Sequence, residues 1–214
     1  MFSIYETREN REELLNKLLD VDPCVALVIA FLDFEWTLRR CTLALGKSPT
    51  SVIRKKFSGE LDINVYHIDK NPEQDKQEEK TKKYPVCGLD GYKKIWTKEV
   101  FPIRKISLFD LLKSRVKIRT IEGFDQDKFN QLKQNQCLKL KRKQSSIGNT
   151  DEFLKFVYDR FRNTLIHGIR TNVQDDNAKF VCKFIIACSG ALCSYAEEQG
   201  ESIYGRKILR RKTL

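Results

Sequence analysis

Apolar residues recur every three or four positions along most of the chain, and that period predicts helices. Glu9 to Leu19 places Leu14, Leu15, Leu18 and Leu19 on one side. Asp22-Pro23 is a start signal, with Asp as cap and Pro at the first helical position. The helix it opens runs to Leu45 and ends at Gly46. Its first half, Val25 through Leu32, is apolar almost all round and predicts a central position; its second half turns polar at Asp33, Glu35, Arg39 and Arg40. Ser48-Pro49 begins a turn and a short helix to Phe57, and Leu61 to Ile68 alternates like a short strand or extended loop. Gly88 to Gly91 is a turn, followed by a helical stripe of Tyr92, Ile95, Trp96, Val100 and Phe101 that ends near Pro102. Ser107 to Val116 and Asp125 to Leu140 are further helices.

The clearest stripe comes next. Phe153, Val157, Phe161 and Leu165 are each four apart, flanked by Leu154 and Tyr158. Asn149 or Thr150 can cap this helix, and Asp151 and Glu152 put negative charge on its first turn. A last long helix starts at Asp175-Asp176 and carries Phe180, Val181, Phe184, Ile185, Leu192 and Tyr195. The small residues Ala187, Ser189, Gly190 and Ala191 between them would let a neighbouring helix approach closely. The pattern predicts an all-α fold, an up-and-down helical bundle in one domain, 1–214. A long, partly helical, charged insertion occupies about 47–148, and a basic tail about 201–214.

Composition narrows the function classes. Apolar residues make up 41%, enough for a sizeable core, and the formal net charge of +11 points to a polyanionic partner, nucleic acid first and an anionic membrane surface second. The N-terminus carries Glu6, Glu9, Glu12 and Glu13 in place of an apolar run, and the apolar stretch Cys24 to Leu32 is far short of the roughly 20 residues of a membrane span. A cytoplasmic protein without membrane attachment is therefore expected. Seven cysteines without C-x-x-C spacing read as small buried hydrophobes, not as a disulfide framework or zinc site. No metal-ligand cluster or phosphate-cradling glycine loop is present, so no cofactor is expected. His67 reads as structural or exposed, since nothing nearby completes a site. Asp69 to Lys83 is a charged run that cannot bury apolar area.

The chemistry concentrates in Arg162-Asn163-Thr164-Leu165-Ile166-His167-Gly168, which holds one of only two histidines. At about 100° per residue, Arg162 falls near roughly 180° from Phe153, Asn163 near roughly 280° and His167 near roughly 320°, all outside the core stripe. Phe156 and Ile166 fall on the same polar half, as though something covers that face, such as a second subunit. In the bland reading His167 is a C-terminal cap favourable to the helix dipole, and Arg162 is a surface residue. Glu35 and Arg39 are four apart and can form a surface pair. The sharper reading has Glu35 reach the Arg162 and His167 site and orient one of them.

Arg, a polar residue directly after it, and His at a helix end resemble the R-x4–6-H motif of the HEPN superfamily. Gly-Leu-Asp-Gly-Tyr-Lys-Lys-Ile-Trp, with Phe-Glu-Trp-Thr-Leu-Arg-Arg of the second helix, is similar to larger HEPN families such as RiboL-PSP-HEPN. The resemblance covers about residues 20–46 and 150–200. It implies a helical bundle and a metal-independent endoribonuclease, a toxin or antiphage defence effector, with catalytic Arg162, Asn163 and His167; Glu35 and Arg39 are supporting candidates from their place on the second helix. It also implies a homodimer with opposed motif faces, because one chain supplies one useful histidine while the reaction needs an acid and a base. An antitoxin or defence-system protein is a further expected partner, and a nucleotidyltransferase-type antitoxin is one that a non-enzymatic module would bind. The chemistry suits these residues. A histidine, with an unperturbed pKa near about 6.5, moves the proton between 2′-hydroxyl and 5′-oxygen. An arginine fork holds phosphate oxygens. Lys139, Lys141, Arg142 and Lys143, with Arg206, Lys207, Arg210 and Arg211 in the tail, would supply sequence-independent RNA affinity. The alternative is a non-enzymatic helical module that binds RNA or a protein partner through the same face.

Overall fold

The computed structural model describes residues 7–59, 88–127, 129–131, 150–162, 165 and 175–204. Every regular element among them is helical: α1 (Arg8–Val21), α2 (Pro23–Leu45), α3 (Thr50–Ser58), α4 (Leu89–Glu99), α5 (Phe101–Arg104), α6 (Leu108–Arg115), α7 (Thr150–Val157) and α8 (Asp175–Glu198). A single 3-10 turn covers Ile118–Thr120, and α7 widens into a π turn over Tyr158–Arg162. The expected strand at 61–68 and the charged run after it lie outside the described residues, as does most of the predicted helix 125–140.

Local chemistry sets the helix ends. Asp22 Oδ1 accepts from the backbone N–H groups of Cys24 and Val25 at 3.0 Å, and Pro23 fills the first helical position. At the far end of α2, Gly46 is needed for close approach. A Cβ there would lie 2.6 Å from Ile53 Cδ1 and 2.6 Å from the Thr42 carbonyl oxygen. The following turn is stitched to the end of α4 by Glu99. Its carbonyl accepts from Lys47 N at 3.0 Å, its Oε2 from Ser48 N at 3.1 Å, and its Oε1 pairs with Lys56. Leu89, Asp90 and Gly91 already belong to α4, so the expected turn at 88–91 contracts to Gly88 alone.

The long helices α2 and α8 share the most extensive helix–helix contact, and α1, α3, α4 and α6 close around them. One core cluster joins them all, including Tyr92, Ile95 and Trp96 of α4 and Leu111 and Leu112 of α6. Trp96 is fully buried and spends its indole N–H on the Ile106 carbonyl at 3.1 Å. The segment Asn177–Glu198 is long and apolar enough to cross a membrane by length and composition, and 72% of its apolar 18-residue stretch is buried inside the fold.

Burial along α2 differs from the expectation. Val25 and Leu32 of the apolar half are 45% and 52% exposed, whereas Asp33, Glu35 and Arg40 of the polar half are each under a tenth exposed. The charged residues are inside because each has a partner there. Arg11 pairs with Asp33 at 3.0 Å, and Arg40 Nε donates to the Ile203 carbonyl at 2.7 Å.

Helix α7 is anchored at both ends of its buried face. Thr150 is not a cap; its hydroxyl donates to the Val116 carbonyl at 2.6 Å and so ties the start of α7 to the end of α6. Phe153 meets Phe184 edge-on at 4.8 Å, with Phe129, Phe156 and Phe180 around it at 5.3–5.9 Å.

Candidate functional site

The π turn decides where Arg162 points. A turn closed by i→i+5 bonds advances each residue by less than the 100° of an α-helix. Arg162 therefore falls back toward the buried side, instead of the polar side expected from a regular wheel. Its side chain is 12% exposed, and Nε donates to Glu35 Oε1 on α2 at 3.0 Å. The placement of Arg162 outside the core stripe is thus corrected, for the reason that the helix is not regular at this point.

Glu35 is the hub. Its second oxygen, Oε2, accepts from the Tyr92 hydroxyl of α4 at 2.9 Å. The Tyr92 oxygen in turn accepts from an Arg39 terminal nitrogen at 2.8 Å. The spacing of Glu35 and Arg39 brings them near one another, but a tyrosine from α4 stands between them. Arg39 lies at the surface, with its guanidinium 5.3 Å from the Tyr92 ring centroid and 5.8 Å from that of Phe57. Burial, and then the Glu35 carboxylate beside it, pushes the Tyr92 hydroxyl up to about 12. It stays protonated and keeps donating to Glu35 throughout the neutral range.

Tyr158, on the π turn, is 2% exposed and lies edge-on to Phe31 at 5.4 Å and Phe34 at 6.1 Å. Its hydroxyl has no hydrogen-bond partner among the described residues. Burial holds its ionisation well above the ordinary tyrosine range, and Glu35 adds to the effect. A π turn and an unsatisfied buried hydroxyl next to one ion pair are departures from regular structure of the kind that collect at functional sites.

The structure therefore brings together Arg162, Glu35 and Arg39. Asn163, His167, Lys139, Lys141, Arg142, Lys143, Arg206, Lys207, Arg210 and Arg211 lie outside the described residues. Phe156 does not sit on an uncovered face. It is 5% exposed within its own chain, against Phe153 at 5.8 Å and Phe161 at 6.0 Å. Phe156 therefore gives no support to a second subunit, and Ile166 is outside the described residues. Sequence reasoning placed Tyr92 in a core stripe and missed its hydroxyl. The available signal was that a tyrosine in a stripe must find its O–H a partner, and Glu35 on the neighbouring helix is one.

Chemically, a guanidinium anchored through Nε has its plane fixed before any ligand arrives. Preorganised phosphate contacts need that property. Among the described residues no three His, Cys, Asp or Glu side chains converge as a metal site. The described cysteines are free, and burial pushes those of Cys182 and Cys193 up to about 12 and about 11, which suits inert packing groups. Comparison with protein-family profiles, curated proteins and solved structures finds no match for this chain.

Proposed function

We propose that this chain is a HEPN-type, metal-independent endoribonuclease on a helical bundle. Arg162 holds the scissile phosphate, His167 transfers the proton and Asn163 orients or donates one hydrogen bond. The observation that carries this reading is the Glu35–Arg162 pair at 3.0 Å, at the end of a π turn and five residues before His167. A carboxylate that fixes the guanidinium prepares it for in-line attack of the 2′-hydroxyl, while the charge on phosphorus grows. The step is internal transesterification. The 2′-oxygen bonds phosphorus, the bond to the 5′-oxygen breaks, the 2′-proton leaves to a base, and the 5′-oxygen takes a proton from an acid. Since the chain has one histidine in the motif, a homodimer that faces two motifs supplies both groups. That proposal rests on the proton inventory alone. A cytoplasmic toxin or defence role with an antitoxin partner follows the same resemblance.

A second reading has its own observation. Arg162 is nearly buried and already pairs with a carboxylate, as a structural ion pair would. In that reading the chain binds RNA or a protein partner without cutting. Incubation with total RNA in excess chelator separates the two. Fragments ending in 2′,3′-cyclic phosphate, lost in His167→Ala and Arg162→Ala, support the enzyme. Cleavage at the parental rate by His167→Ala rules out its catalytic role, and intact but retarded RNA supports the binding module.

A further inference from the structure

Two lysines converge on one ring. Lys93 Nζ of α4 lies 4.8 Å from the centroid of Phe109, and Lys155 Nζ of α7 lies 5.0 Å from the same centroid. Phe109 stands on α6, which packs against both helices. The two ammonium groups can be no further apart than those distances together allow. Both side chains are half-buried, and neither pairs with an acid among the described residues. Four other basic groups of the fold do pair with acids: Lys17 with Glu13, Lys56 with Glu99, Lys183 with Glu122 and Arg115 with Glu198. An aromatic face attracts each cation, and two like charges brought to one ring repel each other. A bound anion relieves that repulsion.

The position ties this pair to the site. Lys93 follows Tyr92, whose hydroxyl holds Glu35 and through it Arg162. Lys155 precedes Arg162 by seven residues, close to two turns or roughly 10 Å along the helix axis. A strand whose phosphate lay on Arg162 would need a few nucleotides to reach Lys155, and Lys93 shares its ring. Ammonium groups suit this task, because they hold phosphate oxygens as point charges without fixing the angle of a flexible backbone.

We propose that Lys93 and Lys155, gathered on Phe109, form a phosphate subsite that holds the RNA backbone next to the Arg162 site. The proposal rests on the ribonuclease reading and adds the residues that grip the flanking strand. It is tested with a labelled single-stranded RNA carrying 2′-O-methyl groups, which binds but has no free 2′-hydroxyl to attack. Affinity is measured across a range of salt for the full chain, for Lys93→Gln/Lys155→Gln, and for Lys17→Gln/Lys98→Gln, which removes the same charge elsewhere.

Loss of two phosphate contacts should flatten the slope of log affinity against log salt by about 1.4, from about 0.7 per phosphate of a single strand. The control variant should keep the parental slope. With unmodified RNA, Lys93→Gln/Lys155→Gln should raise KM and leave kcat near the parental value. An unchanged slope overturns the subsite, as does an equal loss in the control. Equal competition by poly-glutamate overturns the assignment to RNA in favour of an acidic protein. A parent chain that binds no RNA overturns both the subsite and the ribonuclease reading. A parent that cleaves RNA through Arg162 while the lysine variant binds normally overturns the subsite alone.

Discussion

Glu35→Gln is the most informative single change, because it alters charge while keeping shape. Glu35 and Arg162 are 10% and 12% exposed, and the carboxylate bonds Arg162 Nε at 3.0 Å and the Tyr92 hydroxyl at 2.9 Å. Breaking a buried pair costs about 3–5 kcal/mol when a charge loses its partner. The amide retains an acceptor and the pair keeps slight contact with water, so the expected cost is lower, about 2–3 kcal/mol. For a chain of this size that lowers Tm by roughly 4–12 °C. The assay is a double-mutant cycle with Arg162→Met, read by thermal unfolding. The pair should show a coupling above about 1 kcal/mol. Cleavage gives the second readout: Glu35→Gln should lower kcat by about 10- to 100-fold, since a loosened guanidinium no longer stands where charge develops. Additivity of the two changes within about 0.5 kcal/mol would refute the pairing. Full activity in Glu35→Gln would refute its positioning role.

Thr150→Val keeps volume but leaves the Val116 carbonyl without its 2.6 Å donor, and should cost about 1–3 kcal/mol in denaturant unfolding. Glu99→Gln removes the charge that Lys56 pairs with while retaining an acceptor for Ser48 N, and should cost about 1.5–3 kcal/mol by the same measurement. Tyr92 ionises at about 12 in the fold, above its ordinary value of 10.0, so between those values the unfolded chain has released a proton that the folded chain retains. Stability is then fully present below the lower value and falls as pH rises toward the upper one; Tyr92→Phe should make the alkaline limb less steep. Arg11→Met alone should cost about 3–5 kcal/mol because it leaves the Asp33 carboxylate buried, and Arg11→Met/Asp33→Leu should recover most of that loss.

The parts of the fold that were legible in the sequence depend on near neighbours. Asp22, Pro23 and Gly46 bound α2 through contacts within a few residues, and the stripe of Phe153, Val157 and Phe161 is buried as its spacing requires. The parts that were not legible depend on partners far along the chain. Asp33, Glu35 and Arg40 look like a solvated face until Arg11, Arg162 and the Ile203 carbonyl arrive. The π turn has no simple sequence signature, and without it a regular wheel sends Arg162 to the wrong side. Arg162 and Glu35 could each be named as candidates from their residue types. Their meeting could be offered only as one of two readings, and Tyr92 between Glu35 and Arg39 was not foreseen.

The buried charges of α2 differ in what they hold. Asp33 ties α2 to Arg11 of α1, whose guanidinium also lies 3.7 Å from the Trp36 ring centroid. Burial raises the Asp33 carboxyl above its ordinary value even though Arg11 pulls it down. Desolvation therefore outweighs attraction at that site, which is why apolar side chains of similar volume should recover most of the stability lost with the pair. Glu35 is surrounded differently. Its two oxygens meet groups from two further segments, the π turn and α4, and Arg39 beyond Tyr92 opens to the surface. Under the proposed ribonuclease reading, an apolar replacement of Glu35 and Arg162 should recover most of the folding stability, as expected for Arg11 and Asp33, while leaving RNA uncut. A double replacement of Glu35 and Arg162 that folds and still cuts RNA would refute the role proposed for that pair.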